Sequence, residues 1–450
     1  MDGGKYMIQK PKGTYDVNGT KGERILYLEK LLASLMKNYN YQYLRTPIFE
    51  SSELFHRGVG ETTDIVTKET YDFIDRGNRS MTLRPEGTAG IVRSYIENKM
   101  YGRAEMPVKA WYYGPMYRYE RPQSGRFREF YQFGVEVFGT NDPLIDAEVI
   151  SIPVNFYRLL GLKGIKVNIN SLGDSESRKN YREALKEYFK PYIDTLCIDC
   201  RERFNKNPLR ILDCKVDCEK DIIKNAPKMQ DYLNDESKEH FEKVKQYLNA
   251  LGIEYTVNSN LVRGLDYYTY TVFEVEASVE GFGSQNVLCG GGRYNNLVEN
   301  IGGPKMPGVG FALGMERLLT ALEFEGIYPE DEKTLDAYVI PVTENEKKEA
   351  ISLTNALRLS GFIVDMDYMN RNMKSNFKAS DRMNTSYVII IGKEEVETNI
   401  LTIKDNKTKE EYKVALSDVI DFLDQTLVED NYRYDCSCED ECNCCNHHSN

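Results

Sequence analysis

The chain has 450 residues, 41% of them hydrophobic and 28% charged, and carries a formal net charge of −12. This composition is typical of a globular protein of one to three domains, and the acidic balance excludes a chain that is basic throughout, so nucleic acid would have to bind through local basic patches. No apolar run is long enough to span a bilayer and residues 1–9 hold no signal-peptide segment, so we expect a cytoplasmic protein with no membrane partner.

The first part of the chain has the pattern of an α+β domain. Apolar residues at helical spacing predict a helix over residues 22–39, and a short extended stretch follows at 43–49. Period-2 alternation and a high aromatic content predict strands of an antiparallel sheet at 109–119, 130–138, 166–171 and 270–277. Residues 175–250 are instead charged, helical and cysteine-bearing, so we interpret them as an insertion.

The C-terminal part alternates between strands and helices. After a linker at 325–334, the pattern predicts elements over residues 335–342, 346–359, 362–366, 371–384 and 387–391. Such alternation predicts a small α/β domain with a largely parallel sheet. From about residue 427 onward the chain is acidic and low in apolar residues, which predicts disorder.

The densest chemical pattern is a predicted hairpin at residues 117–136. Four arginines flank a Pro-Gln-Ser-Gly turn, at positions 118, 121, 126 and 128. Guanidinium forks match phosphate oxygens, which favours phosphate binding on this hairpin. The alternative is a solvated hairpin whose charges face only water.

Four shorter motifs accompany the hairpin. Glu86 and Thr88 lie beside a glycine and suit an ammonium group, although the same residues suit a plain helix N-terminus. Residues 290–294 (Gly-Gly-Gly-Arg-Tyr) allow a ligand to approach the backbone, or form a loose turn. The other two are Arg-Gly-Leu-Asp-Tyr-Tyr at 263–268, directly before a strand, and a glycine-rich strand at 307–318 that leads into a helix carrying an arginine.

Together these motifs resemble those of a known enzyme family. Arg118-Tyr119-Glu120, with Arg126 and Phe130, resembles the second signature motif of class II aminoacyl-tRNA synthetases, and Gly308 to Arg317 resembles the third. The helix–strand pair ending at Pro47 is similar to the first motif, which builds a dimer interface. Residues 263–268 and 290–294 resemble the two histidine-specific signatures of the histidyl-tRNA synthetase family, and residues 11–16 match the start of its catalytic domain. The resemblance covers residues 5–425.

The resemblance implies a fold, domain boundaries and a reaction. The fold is an α+β catalytic core, in which helices flank the antiparallel sheet of class II synthetases, with a helical insertion and a C-terminal α/β anticodon-binding domain. The boundaries are residues 1–174 and 256–326 for the core, 175–255 for the insertion, 333–426 for the anticodon-binding domain and 427–450 for a disordered cysteine-rich tail. The reaction is activation of histidine with ATP and Mg²⁺ to histidyl-adenylate, then transfer to the 3′ end of tRNAHis, in a homodimer.

The resemblance also assigns roles in ATP binding and catalysis. Arg118 and Arg263 would lie on opposite sides of the α-phosphate and stabilise the charge that builds as the histidine carboxylate attacks phosphorus. Arg126 would meet the γ-phosphate. Phe130 and Arg317 would sandwich the adenine, with Glu120 near the adenine side of the site.

The residues implied for histidine form a second group. The α-ammonium would be held by Glu86, Thr88 and Gln132. The two ring nitrogens of the imidazole would lie between Glu136 and Tyr268, with Tyr267 beside them and Arg263 near the carboxylate that reacts. A pocket that bonds both nitrogens rejects analogues that lack one of them, because its own polar groups would be left unpaired.

For tRNA, the resemblance places Arg121 and Gln123 of the hairpin turn at the acceptor end. Four basic residues of the C-terminal domain recur at three- and four-residue steps, which puts them on one face of the predicted helix: Arg371, Lys374, Lys378 and Arg382. A solvated face is the ordinary explanation of such a row. On an acidic protein, however, a row of one sign favours contact with phosphates.

Cysteines are concentrated in two segments. Cys197-x2-Cys200 and Cys214-x3-Cys218 have a spacing close to that of zinc ligands, and the alternative is a pair of thiol turns in a helical module. The tail places five cysteines and two histidines between residues 436 and 448, which suits zinc or copper(I), or is an appendage with incidental metal affinity.

Two other functions remain open from the sequence. The regulatory subunit of ATP phosphoribosyltransferase uses the same core fold but lacks the Arg263-type signature and the tRNA-binding domain. An accessory protein that binds tRNA without charging it would not need all four of the nucleotide-contacting arginines 118, 126, 263 and 317. Position 295 departs from the family pattern, because an asparagine follows Tyr294 where an aspartate is usual.

Overall fold

The structure is a computed structural model that describes residues 8–60, 63, 65–121, 126–212, 214, 216–217, 219–262, 267–279, 286–328 and 334–432, with side chains up to residue 427. It divides into two compact units, Met1–Glu330 and Asp331–Asn450. None of the helices within these ranges has the length and apolar character needed to cross a membrane. The predictions at Gln123, Cys218, residues 263–266 and the cysteine-rich tail lie outside the described residues.

The first unit contains eleven described strands and ten described α-helices. The strands are β1 (Gln42–Tyr43), β2 (Phe49–Ser51), β3 (Tyr71–Ile74), β4 (Ser80–Leu83), β5 (Val108–Tyr117), β6 (Glu129–Phe138), β7 (Ile165–Ser171), β8 (Thr256–Val257), β9 (Thr269–Ala277), β10 (Val287–Arg293) and β11 (Gly308–Gly314). The helices are α1 (Gly19–Asn38), α2 (Ser52–Val59), α3 (Thr88–Glu97), α4 (Pro143–Leu159), α5 (Ser175–Phe189), α6 (Ile198–Lys206), α7 (Asp221–Lys224), α8 (Asp235–Ala250), α9 (Leu297–Asn300) and α10 (Met315–Phe324).

The predicted antiparallel sheet is confirmed. Eight strands pair in the order β1-β5-β6-β11-β10-β9-β7-β8, and every pairing from β5 through β7 is antiparallel. The two short edge strands, β1 and β8, pair in parallel. Residues 290–294 are therefore no loose turn, because Gly290 to Arg293 lie inside strand β10.

Both faces of this sheet are covered. Strand β5 alternates strictly between buried and half-buried residues, as expected for a strand whose two faces differ. One face packs against a large apolar cluster that includes residues of α1, α4, α8 and α10, for example Leu32, Phe156, Val244 and Leu318. The opposite face packs against α3 and α9 in a second apolar cluster that includes Tyr95 of α3, and the functional cavity opens on this side.

The predicted insertion is helical, but it does not behave as one body. Helices α5 and α6 share a separate apolar cluster that includes Tyr181, Phe189 and Cys200. The last helix, α8, packs instead with α4 in the main cluster through Phe241 and Val244. Contact with the core sheet therefore resumes before residue 255, since apolar residues of α8 face the sheet side.

The second unit is an α/β domain with strands β12 (Leu335–Pro341), β13 (Val364–Met366), β14 (Thr385–Ile391), β15 (Ile400–Asp405) and β16 (Glu411–Ala415). Its helices are α11 (Lys347–Leu359), α12 (Met373–Arg382), α13 (Lys393–Thr398) and α14 (Val419–Tyr432). The strand order is β13-β12-β14-β15-β16. The expectation of a largely parallel sheet was wrong, because β14, β15 and β16 pair antiparallel and make the sheet mixed.

Two further expectations for this unit need correction. Helix α12 begins at Met373, so Arg371 precedes the helix; its guanidinium instead lies 2.9 Å from Asp367. The remaining three basic residues, Lys374, Lys378 and Arg382, are exposed on α12 at four-residue steps and are called the basic stripe below. Helix α14 continues to Tyr432, so regular structure extends past the tail boundary expected at residue 427.

Candidate functional site

A cavity of about 990 Å³, counting space open to solvent, lies between the β5–β6 hairpin, strands β10 and β11, and the start of α3. All five residues predicted for ATP line this cavity: Arg118, Glu120, Arg126, Phe130 and Arg317. Five of those predicted for histidine line it too: Glu86, Thr88, Gln132, Tyr267 and Tyr268. Residues from distant parts of the chain are thus brought together as the motifs predicted.

Strand β6 orders these groups along the cavity. Phe130, Gln132 and Glu136 are even-numbered residues of one strand, so their side chains share one face. At a rise of about 3.3 Å per residue, Phe130 and Glu136 are roughly 20 Å apart along the strand. Phe130 is near the hairpin turn with its arginines, and Glu136 is toward the other end of β6. The arrangement suits an elongated ligand with a phosphate near the turn.

The arginines at the hairpin end are held by identifiable contacts. Arg118 donates from Nε to the carbonyl of Pro85 at 2.9 Å, and its guanidinium lies 5.2 Å from the centre of the Phe130 ring. Arg126 lies 3.3 Å from Glu120, which is also 3.9 Å from Arg118. Arg317 donates to the carbonyl of Val287 at 3.1 Å. Three guanidinium groups therefore line one cavity, which is the chemistry of a polyphosphate site.

Glu86 serves as a cap of helix α3. Both of its carboxylate oxygens accept backbone N–H bonds at 2.8 Å, one from Thr88 and one from Ala89. Burial raises the pKa of this carboxyl, and the two N–H bonds act in the opposite direction. The helix N-terminus that the motif suggested is therefore present, and Glu86 also lines the cavity.

Glu136 lies beneath the cavity wall. It is fully buried, and it accepts hydrogen bonds from Thr88 Oγ1 at 2.7 Å and from the hydroxyl of Tyr294, two residues that line the cavity. Burial, which disfavours the charged form, raises the pKa of Glu136 to about 8. The group thus titrates near neutral pH at the floor of the site.

Glycines make room for this carboxylate. Gly310 of β11 pairs with Glu136 of β6, and a Cβ at position 310 would collide with the Glu136 carboxylate and with the carbonyl of Val135. Gly292 of β10 pairs with Gly310 on the neighbouring strand, and a Cβ at position 292 would lie 2.5 Å from the carbonyl oxygen of Thr271. Glycine at these positions is required by close packing rather than by a turn.

Three buried polar atoms of cavity-lining residues have no hydrogen-bond partner within the described part of the chain: Oε2 of Glu120, Nε of Arg126 and Oε1 of Gln132. An unpaired buried acceptor costs roughly 1–3 kcal/mol, so a donor from a ligand would relieve this cost. Gln132 lines the same cavity as Glu86 and Thr88, and these three polar side chains suit an ammonium group.

The structure adds residues that the sequence did not single out. Tyr294, which ends the Gly-Gly-Gly-Arg-Tyr motif, donates to Glu136 together with Thr88. Glu316, next to Arg317, lines the cavity and accepts the backbone N–H of Tyr131 at 2.8 Å. Position in a motif was the available signal for both residues, since Glu316 lies within the glycine-rich segment at 307–318.

Arg293, in the same motif, is structural. It is fully buried and paired with the fully buried Asp146, and it donates to the carbonyl of Thr140 at 2.8 Å. Asn295, where the family has an aspartate, donates to the side-chain oxygen of Asn141 at 3.2 Å and is not among the residues that line the cavity.

The residues predicted to contact tRNA lie elsewhere. Arg121 is exposed at the hairpin turn, and it does not line the cavity. The basic stripe lies in the second unit. The cysteine cluster is a third location: Cys197, Cys200 and Cys214 converge in the insertion together with Asp217.

Comparisons with known proteins agree with this geometry. The sequence profile described as "Histidyl-tRNA synthetase" matches residues 13–318, and that described as "Anticodon binding domain" matches residues 336–426. The chain is 54% identical over 420 residues to "Histidine--tRNA ligase" of Geobacillus sp. (strain WCH70), covering 93% of this chain and 99% of that one. The corresponding protein of Anoxybacillus flavithermus is 53% identical at the same coverage.

Solved structures give the same result. The crystal structure of apo S. aureus histidyl-tRNA synthetase superposes with a TM-score of 0.80 and 43% identity, covering 93% of this chain and 100% of that one. The histidyl-tRNA synthetase of Nostoc sp. PCC 7120, at 20% identity, shares the fold with a TM-score of 0.65 over 94% of this chain and 100% of that one. The chain belongs to the histidyl-tRNA synthetase family of class II aminoacyl-tRNA synthetases.

Proposed function

We propose that this chain is a histidine–tRNA ligase. The histidine carboxylate attacks the α-phosphorus of ATP and pyrophosphate leaves, which gives histidyl-adenylate. A ribose hydroxyl at the 3′ end of tRNAHis then attacks the carbonyl carbon and AMP leaves. The observation that carries the proposal is one cavity lined by three guanidinium groups, two of them from the β5–β6 hairpin, and by Glu86, Thr88 and Gln132, with the buried Glu136 bonded to Thr88.

ATP occupies the hairpin end. Arg118 meets the α-phosphate, held in place by the Pro85 carbonyl and by the ring of Phe130. Arg126 meets the γ-phosphate, while Phe130 and Arg317 hold the adenine near Glu120. Magnesium would accompany the phosphates, and Arg263, which lies outside the described residues, would supply a second cation for the α-phosphate. Fixed cations at the reacting phosphorus stabilise the transition state without a protein nucleophile.

Histidine occupies the opposite part of the cavity. Its ammonium lies against Glu86, Thr88 and Gln132, and the unpaired oxygen of Gln132 accepts one of its protons. Its imidazole N–H replaces the Thr88 hydroxyl as a donor to Glu136, and Tyr268, with Tyr267 beside it, bonds the second nitrogen. Selectivity follows because Glu136 is buried and any analogue without the N–H leaves it unpaired.

tRNA binds two surfaces. The acceptor end lies at the hairpin turn with Arg121 and Gln123, and the anticodon lies on the second unit. There the basic stripe, with Arg371 just ahead of it, supplies cations for phosphates. The boundaries proposed for the domains are residues 1–174, 175–255, 256–326 and 333–426, and the proposed active form is a cytoplasmic homodimer.

The regulatory subunit of ATP phosphoribosyltransferase is disfavoured. A structure titled as such a regulatory subunit or a histidyl-tRNA synthetase, from Bacillus halodurans C, is only 21% identical, which supports a shared fold alone. The match to an anticodon-binding domain over residues 336–426 favours a protein that reads tRNA. A non-charging accessory protein would share that domain, so the two steps must be measured.

The test is charging of unfractionated tRNA with each of the twenty amino acids, followed in acid gels. Histidine alone should be esterified, and only in the presence of ATP. Binding of tRNA without ester formation would refute the ligase and support an accessory protein. Failure to bind tRNA at all would favour a regulatory subunit.

A further inference from the structure

Three thiols and one carboxylate converge inside the insertion, away from the functional cavity. Cys197 caps the start of α6, Cys200 lies in its first turn, and Cys214 and Asp217 follow the short turn at Pro208–Ile211. Their sulfur and oxygen atoms all lie within 4.8 Å of one another. The sulfurs of Cys197 and Cys214 are 3.7 Å apart, and that of Cys214 is 4.0 Å from Oδ2 of Asp217.

The distance between the sulfurs of Cys197 and Cys214 matches one edge of a metal tetrahedron. With zinc–sulfur bonds of about 2.3 Å, two ligating sulfurs of a tetrahedral site are roughly 3.8 Å apart. The pair at 3.7 Å has this spacing and is far too long for a covalent bond between sulfurs. Two ligands come from α6 and two from the 214–217 turn, so one ion would join two separate segments.

The surroundings of the cluster suit anionic ligands. Cys200, Cys214 and Asp217 are all buried. The backbone N–H of Asp217 points at the sulfur of Cys214 at 3.4 Å, and that of Cys197 donates to Asp217 Oδ2 at 2.8 Å. Lys220 lies 2.7 Å from the other carboxylate oxygen. Such contacts orient metal ligands from outside, whereas thiolates and a carboxylate buried together require a cation between them.

A metal ion would stabilise the part of the insertion that surrounds the cluster. Between α5 and α8, the α-helices within the part of the chain that the structure describes are α6, of nine residues, and α7, of four, and the other helical segments are short 3-10 helices. Short elements of this kind bury little apolar surface, and small modules commonly need a metal or another cross-link. The cysteines lie in the apolar cluster of this module rather than on its surface.

We propose that Cys197, Cys200, Cys214 and Asp217 bind one zinc ion. Soft thiolates select zinc over magnesium or calcium, and four protein ligands leave no open position, so the ion is structural. It fixes α6 against the 214–217 turn. The sequence had pointed to Cys218 as the fourth ligand; the geometry assigns that place to Asp217. The proposal is independent of the ligase activity.

The test uses the full chain with its tail ligands removed, because the tail would bind metal by itself. In this background Cys436, Cys438, Cys442, Cys444 and Cys445 become serine, and His447 and His448 become asparagine. The protein is purified without a metal-affinity tag and under reducing conditions. Zinc is measured by mass spectrometry, and cobalt(II) is added to metal-stripped protein to record thiolate charge-transfer and tetrahedral visible bands.

We expect close to one zinc ion per chain, lost in Cys200→Ser and in Asp217→Asn. Asp221→Asn, an exposed carboxylate of the same module, is the matched control and should keep the ion. Cys218→Ser should keep it too. A zinc-free background protein that also gives no cobalt bands, with its melting curve intact, would overturn the site. Zinc retained by Asp217→Asn but lost by Cys218→Ser would overturn the ligand assignment.

Discussion

Replacing Glu136 by glutamine probes how histidine is selected. The carboxylate accepts hydrogen bonds from Thr88 and Tyr294 and is fully buried, so it is positioned and desolvated before the substrate arrives. Glutamine keeps the shape but offers a single oxygen acceptor and turns an NH₂ donor toward a neighbouring hydroxyl. Because burial raises the pKa of Glu136 to about 8, the carboxylate is mostly charged only above that pH, so the assay is run at about pH 9. A hydrogen bond to a charged group contributes about 1.5–3 kcal/mol, so at this pH histidine should bind roughly ten- to a hundredfold more weakly.

The assay is histidine-dependent ATP–pyrophosphate exchange, with each substrate varied while the other is saturating. In Glu136→Gln the KM for histidine should rise by that factor, while the KM for ATP changes by less than about twofold. Glu129→Gln is the matched control, since Glu129 is on the same strand at an odd position and faces away from the cavity side. Equal losses for both substrates, or an unchanged KM for histidine, would refute the role of Glu136.

Four further outcomes are expected. Burial raises the pKa of Glu136 from 4.5 to about 8, so the folded state holds this proton more tightly than the unfolded state, and the free energy of unfolding falls as pH rises between these values. Urea unfolding at pH 5.5 and 8.5 should therefore show that the free energy of unfolding of wild type drops by about 3 kcal/mol relative to that of Glu136→Gln. Asp146→Asn leaves the buried Arg293 unpaired and should lower the free energy of unfolding by about 3–5 kcal/mol in the same denaturation experiment. Gly310→Ala should displace the Glu136 carboxylate and raise the KM for histidine, without effect on ATP binding measured by calorimetry. Reversing the three charges of the basic stripe should raise the KM for tRNA in aminoacylation and spare pyrophosphate exchange, whereas the exposed Lys348→Glu on α11 should alter neither.

The main strands were predictable because the alternation of residue types that marks a strand can be read from a few neighbouring residues. Strands β5 and β6 alternate between apolar or aromatic residues and others, and both formed where the pattern placed them. The antiparallel pairing of β5 with β6 agrees with the hairpin predicted at residues 117–136. Helix α12 also formed as predicted, but it starts at Met373 and leaves Arg371 outside. The sequence could not show this, because Arg371 pairs with Asp367, which lies at the end of a neighbouring strand.

Other features depend on contacts that no local pattern encodes. Gly310 and Gly292 are in strands where the neighbouring backbone and, at Gly310, a carboxylate leave no room for a Cβ. The run that holds Gly310 was predicted as a strand, whereas the sequence left residues 290–294 open to a loose turn. The burial of Glu136 below Thr88 was likewise hidden, since the sequence shows only its position on β6. Asp217 joined the cysteines through the fold of a loop whose spacing had favoured Cys218.

A crystal structure of the chain with a non-hydrolysable histidyl-adenylate analogue tests the central claim most directly. The account predicts that the imidazole lies within hydrogen-bonding distance of Glu136 and that the group replacing the α-phosphate lies beside Arg118. The adenine should lie between Phe130 and Arg317. An analogue bound in the reverse direction along β6, or bound outside this cavity, would contradict it.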